Sequence, residues 1–216
     1  MTYDELKTNI GNYLNRTDLD NQIDMFIDSA ESEINRKLKH KDMIKRSTAV
    51  LNTQYTQLPA DFIGIINVDI QSTNPPVPLF QQSLESLDLY RKTTGNANGL
   101  PKYFSVDGDT LEVAPNPQES YTIQLTYYAE VPPLSSTQTE NFLLRTASDV
   151  YLYGALKHAS IYLMEDERVI MFKSLFDTAI EELRVQQQNA SFGKGSLLNR
   201  RRTYGNTKTT NYYYKN

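Results

Sequence analysis

The hydrophobic period of this chain changes twice, from helical to strand spacing near residue 47 and back to helical spacing near residue 134. A chain patterned this way has to build helices at both ends and a β-rich insertion between them, which is an α+β arrangement. The reading divides it into residues 1–46, with two helices, and residues 47–133, the β-rich insertion with one short helix. Residues 134–190 carry two more helices, and residues 191–216 form a basic, tyrosine-rich C-terminal arm.

Thr2 and Glu5 have the spacing of a capping box, and Leu6, Ile10, Tyr13 and Leu14 follow on one face, so a first helix is predicted to run to about Asn15. After a polar break at Arg16–Asp20, Asp20 is the expected N-cap of a second helix. Its apolar stripe is Ile23, Ile27, Ala30, Ile34 and Leu38. Asp24, Asp28, Glu31 and Glu33 come early and Arg36, Lys37, Lys39 and Lys41 late, matching the helix macrodipole; this reads as a solvated face.

Ala49–Leu58 and Phe62–Ile70, separated by Pro59, Ala60 and Asp61, are rich in β-branched and aromatic residues and read as strands. Asn74, Pro75 and Pro76 mark a loop. Ser83–Arg91 carries Leu84, Leu87 and Tyr90 at helical spacing before Gly95 and Gly99. Lys102–Val106 and Thr110–Val113 form a hairpin about Asp107-Gly108, with Asp109 permitting a bulged or longer loop. Tyr121, Ile123, Leu125, Tyr127 and Ala129 alternate with Thr122, Gln124, Thr126 and Tyr128, so one face of that strand is buried in an antiparallel sheet.

Ser135, Ser136 and Thr137 precede a third helix expected from near Glu140. Leu144, Ala147, Val150, Tyr151, Gly154, Ala155, His158, Ala159 and Tyr162 crowd one of its sides, with small residues that admit a neighbouring helix closely. It should be the most buried helix. Val169, Phe172, Phe176, Ala179 and Leu183 then define a fourth, whose stripe suits packing within the chain better than a seam between subunits. No repeat at a period of roughly 20–50 residues is present, which argues against a solenoid or propeller.

Enzymatic motifs are missing from the sequence: no nucleophile elbow surrounds Ser135, Ser148 or Ser160, and there is no phosphate loop or dinucleotide fingerprint. With no cysteine and only His40 and His158, thiolate and histidine-rich metal sites are excluded. Asp107, Gly108 and Asp109 are explained by a turn, and Glu165, Asp166 and Glu167 by the positive end of a helix. His158, on an apolar face, reads as a core or interface residue. The acidic, amphipathic N-terminus does not read as a signal peptide, and no apolar run spans a bilayer, so a soluble protein made in a cytoplasm is expected.

The net charge of -4 conceals two unlike parts: residues 191–216 hold six basic side chains and no acid. Without those six, 16 basic residues face 26 acidic ones and the body stands at -10 against +6 for the arm. The arm interleaves glycine and asparagine with bases and tyrosines and is expected to be disordered in isolation. It suits an acidic groove on a partner subunit, or nucleic acid through phosphate pairing and base stacking, and solvated tails without function look the same.

Five phrases carry a resemblance. They are MTYDELKTNIGNYLNRTDL with FIDSAESEINRKL, LPADFIGI at Leu58–Ile65, PKYFSVDGDTLEVAPNP at Pro101–Pro117, YTIQLTYYAEVPPLS at Tyr121–Ser135, and DVYLYGALKHASIYLMEDERV at Asp149–Val169. In this order, over roughly Met1 to Phe192, the chain resembles the head-to-tail adaptor, or connector, proteins of tailed bacteriophages. The resemblance implies an antiparallel bundle of four main helices, a β-rich insertion between helices 2 and 3, and an extended C-terminal arm. It implies a structural virion protein, not an enzyme, made in the host cytoplasm and needing no cofactor or membrane. It also implies a homo-oligomeric, dodecameric ring between the portal protein and a tail nozzle or tail tube protein, through which DNA passes without sequence-specific binding. The arm would then dock on the portal or a neighbouring subunit through Lys194, Arg200, Arg201, Arg202, Tyr204, Lys208, Tyr212, Tyr213, Tyr214 and Lys215, although no family wording continues past Phe192. The alternative is a nucleic-acid-binding virion accessory module that uses the same basic arm.

Overall fold

Thr2 starts the first helix in the way its spacing to Glu5 predicts. Its hydroxyl accepts the Glu5 backbone N–H at 3.3 Å, and the Glu5 carboxylate accepts the Thr2 N–H at 2.9 Å. The computed structural model describes residues 1–191 apart from Thr17 and Asn96. Helix α1 (Tyr3–Leu14) buries Tyr3, Leu6, Ile10 and Leu14 and ends at Asn15, whose left-handed φ of 51° an asparagine tolerates. Tyr13 lies beside that stripe and is exposed, contrary to its predicted place on the buried face.

Helix α2 (Ile23–Lys37) begins after Gln22 and not at an Asp20 cap. The carbonyl of buried Leu19 accepts from the N–H groups of Gln22 and Ile23, so a tight turn takes the place of the side-chain cap. The expected stripe is buried, joined by Phe26 and Glu31.

The β-rich region makes two main sheets. The first runs in the order β1 (Ile44–Leu51), β10 (Tyr121–Ala129), β3 (Phe62–Ile70), β4 (Val77–Pro78), all antiparallel. The second runs β2 (Tyr55–Gln57), β8 (Thr110–Ala114), β7 (Tyr103–Asp107), β5 (Phe80–Gln81), with β5 and β7 parallel. A short parallel pair joins β6 (Asn98–Gly99) to β9 (Asn116–Pro117).

The predicted strand Ala49–Leu58 is therefore two strands in different sheets, broken at Asn52–Gln54, and its first half starts earlier, at Ile44. The hairpin turn is Gly108-Asp109, one residue later than expected, with Gly108 at φ 58° and Asp107 paired to Thr110. The alternation in β10 is as read: all five of its predicted inward residues are buried. They meet Leu51, Val68, Ile70, Phe104, Leu111 and Val113 in one apolar core.

Helix α3 (Leu84–Thr94) is capped by Ser83 and closed by Gly95 at φ 69°. Arg91 fastens it to the second sheet through an ion pair with Glu112 and a 2.8 Å bond to the Val113 carbonyl. The predicted third helix is divided: Asn141 caps α4 (Phe142–Thr146), and α5 (Ser148–Tyr162) follows a break at Ala147, where φ is -146°. No glycine or proline marks that break. Helix α6 is Asp166–Ser191.

A second apolar core is helical, built from α1, α2, α4, α5 and α6 with Leu38, Met43, Val131 and Leu134. Helix α5 lies at its centre, packed by the other four. The close approach predicted from its small residues occurs at Gly154, where an added Cβ would stand 2.9 Å from the Ala30 Cβ and 3.1 Å from the Phe176 Cε2. The described residues thus form a mixed α+β structure with six α-helices, and four longer helices do not account for all of it.

Candidate interaction surfaces and the polar ties behind them

Burying helices against one another leaves the charges on their flanks close together, and two of those charges decide how the helical core is tied. Glu33 of α2 holds Lys37 at 3.0 Å on one carboxylate oxygen and Lys157 of α5 on the other. His158 Nε2 lies 3.1 Å from the Lys157-bound oxygen. Both lysines lie over the Phe176 ring of α6, at 5.1 and 4.8 Å from its centre, and Lys37 also pairs with Asp177 at 2.6 Å.

Burial pushes the Glu33 carboxyl up, but hydrogen bonds from Lys157 and Lys37 outweigh it and hold it down to about 2. Burial, together with the adjacent Lys157 charge, pulls the His158 imidazole below its ordinary value. A half-buried, neutral histidine hydrogen-bonded to Glu33 is a packing element, consistent with its place on the apolar side of α5.

A second tie secures the crossing from β10 to α4. Glu31 Oε1 accepts the Leu134 N–H at 2.8 Å and the Tyr151 hydroxyl at 3.4 Å. Asn141 Nδ2 donates to the Tyr151 oxygen at 2.7 Å and to the Pro132 carbonyl at 2.8 Å, while its Oδ1 caps α4 through the Leu144 N–H. Asn35 Oδ1 takes the Val131 N–H at 3.0 Å. Burial pushes Glu31 up to about 7, and the two donors do not offset it.

Glu31 and Glu33 therefore correct the reading of α2 as presenting a solvated acidic face: one is buried and the other is enclosed by three cationic or imidazole partners. Lys157 was not singled out by its sequence context, since a lone lysine on an apolar helix has no local signature. Glu165 pairs with Arg168 at 2.9 Å, and Asp166 and Glu167 occupy the first turn of α6. Asp109 accepts from Gln57 Nε2 at 2.8 Å across the hairpin. Among the described residues no group of three or more His, Asp or Glu side chains is gathered to hold a metal, and no helix is long and apolar enough to cross a membrane.

The exposed apolar side chains concentrate where α5 turns into α6. Ile161, Tyr162, Met164, Ile170, Met171 and Leu175 all lie open, Met164 at 88%. Single exposed apolar residues are ordinary, and six of them between Ile161 and Leu175 make this stretch the candidate for a contact surface. Periodicity points only to the stripe that faces inward, and it placed Tyr162 there, where the structure leaves it exposed; the rest of this outer surface was not anticipated.

Lys194, Arg200, Arg201, Arg202, Tyr204, Lys208, Tyr212, Tyr213, Tyr214 and Lys215 lie outside the described residues. The family model described as SU10 adaptor protein matches residues 1–202. That match extends ten residues past Phe192, where the resemblance in wording stopped, and takes in Lys194 and Arg200–Arg202. No curated protein matches the chain.

Proposed function

Because this chain belongs to the SU10 adaptor protein family, a family of phage head-to-tail adaptors, we propose that it assembles as a dodecameric ring beneath the portal protein. The ring joins the capsid to a tail nozzle or tail tube protein and lets the genome pass. The role is structural and not catalytic. The observation that carries the reading is the family match across residues 1–202.

In this reading the helices around α5 act as the antiparallel bundle of the ring wall, with the β-rich region of residues 47–133 as an insertion on it. Two polar ties support the assignment, because a subunit that transmits load has to hold its helices in one arrangement. The apolar surface about Met164 and Ile170 is suited to a contact between subunits. The arm from residue 191, carrying Lys194, Arg200–Arg202, Lys208, Lys215 and its tyrosines, docks on the portal or on a neighbouring copy. Outside the virion the protein resides in the host cytoplasm.

Electron microscopy of the purified chain mixed with its portal protein tests this. The expected image is a ring of added density below the portal; bare portals beside free protein at concentrations well above the micromolar range would overturn the assignment.

A further inference from the structure

We propose that residues Thr207–Tyr214 of one copy add as a further strand to the open edge of β1 in a second copy, fastening neighbours by main-chain hydrogen bonds. The inference rests on the reading that copies assemble side by side.

Strand β1 ends the first sheet, and it pairs with β10 along all eight of its residues, from Ile44↔Tyr128 to Leu51↔Tyr121, with no shift in register. An antiparallel ladder uses the N–H and C=O groups of alternate residues on each side, so a full set points away from β10. On that outer side the Ile44 N–H is taken by the Lys41 carbonyl, and no backbone partner is seen among the described residues for Arg46, Thr48 and Val50. The other edges of the two main sheets are strands of only two or three residues, β4, β2 and β5. Long edges are ordinarily blunted by proline, a bulge or central charges. This one has neither proline nor bulge, its charges Lys45 and Arg46 sit at one end, and Ser47–Leu51 is uncharged.

The chain itself supplies a strand of the right length. Six of the eight residues in Thr207–Tyr214 are threonine or tyrosine, both good strand formers, and the two residues before them, Gly205 and Asn206, are types that favour turns. The family match ends at residue 202, so this segment is a feature of this chain beyond the family pattern. Laid antiparallel on β1, Tyr214 stands opposite Ile44, Tyr212 opposite Arg46 and Thr210 opposite Thr48, pairings that stabilise a ladder.

The arm also leaves the body in the right place. Near the end of α6, Arg184 donates to the Lys37 carbonyl at 2.6 Å, and Gln187 and Gln188 line the same cleft as Lys37 and Lys39, shortly before β1 begins. Residues 192–206 span roughly 50 Å when extended, enough to reach an adjoining copy. For the chain's own β1, an antiparallel tail would have to carry Arg200–Arg202 past Lys39, Lys41 and Lys45 and then double back. A neighbour's edge can be entered from its Leu51 end without that crowding of like charge.

The chain has no cysteine, so introduced thiols are unique. Full-length Thr48→Cys and Thr210→Cys proteins, mixed in equal amounts and treated with a short bifunctional thiol reagent, should give a covalent heterodimer. This is read both on concentrated protein and on portal-bound protein. Tyr212→Pro added to the Thr210→Cys chain, which alters only the arm, should lower the yield at least tenfold, because residue 212 would stand opposite Arg46, whose backbone groups face away from β10, and proline cannot donate to the ladder. Absence of the heterodimer in both settings overturns the proposal. So does a link that forms only within a chain carrying both cysteines, which would place the arm on its own β1. Loss of portal binding with the heterodimer intact counts against the adaptor reading alone, and portal-bound rings without the heterodimer count against the strand exchange alone.

Discussion

Lys157 of α5 meets the carboxylate of Glu33 on α2 while its ammonium group lies 4.8 Å from the centre of the Phe176 ring on α6. One side chain thus joins three helices by an ion pair and a cation–π contact. Its exposure is only 6%, so its charge is stabilised by these two partners and not by water.

Glu33→Gln is expected to destabilise the protein by about 3 kcal/mol, the low end for leaving a buried charge unpaired, because Lys37 and residual water share the site. Urea unfolding followed by circular dichroism measures it. The double variant Glu33→Gln with Lys157→Met should lose less than the sum of the two single changes.

The two glutamates of α2 give stability a pH dependence with opposite signs. The Glu33 carboxyl is depressed from 4.5 to about 2, so its contribution is present above pH 4.5 and is lost as pH falls toward 2. Glu31 is raised from 4.5 to about 7, so the folded state holds its proton more tightly, and stability falls as pH rises from 4.5 through 7. In Glu31→Gln that second slope should vanish. Melting temperatures between pH 4.5 and 8 decide it, and an unchanged slope counts against this account of Glu31.

Gly154→Ala should destabilise the helical core by about 1–3 kcal/mol through overpacking against Ala30 and Phe176. That exceeds the roughly 1 kcal/mol that alanine gains over glycine within a helix. Combining it with Ala30→Gly should recover part of the loss, because the 2.9 Å contact is with the Ala30 Cβ. Thermal unfolding of both variants provides the measurement.

Truncation after Phe192 should leave the unfolding midpoint unchanged, since among the described residues the buried core runs from Tyr3 to Leu183. The same truncation should lower portal binding at least tenfold under the proposed role of the arm. Circular dichroism on heating and sedimentation with the portal protein, on one preparation, report the two properties separately.

The elements legible in the sequence are those whose evidence is local. The capping box at Thr2, the alternation of β10 and the stripe of α2 follow from spacings within a few residues, and the structure contains each. Boundaries were less legible. Ala49–Leu58 has strand composition throughout, and only the pairing of Ile44–Leu51 with β10 and of Tyr55–Gln57 with β8 divides it. The break at Ala147 is likewise unsignalled, because alanine is compatible with the helix it interrupts.

Local spacing by itself determined where helices and strands arise and which of their faces are apolar, because backbone periodicity acts over one or two turns. Only the tertiary structure decided the state of the charges. Glu31, Glu33 and Lys157 look like solvated residues until α5 is brought against α2 and α6, and burial then makes each charge depend on partners more than 100 positions away. The open edge of β1 arises in the same way, since a strand becomes an edge only when the order of the whole sheet is set.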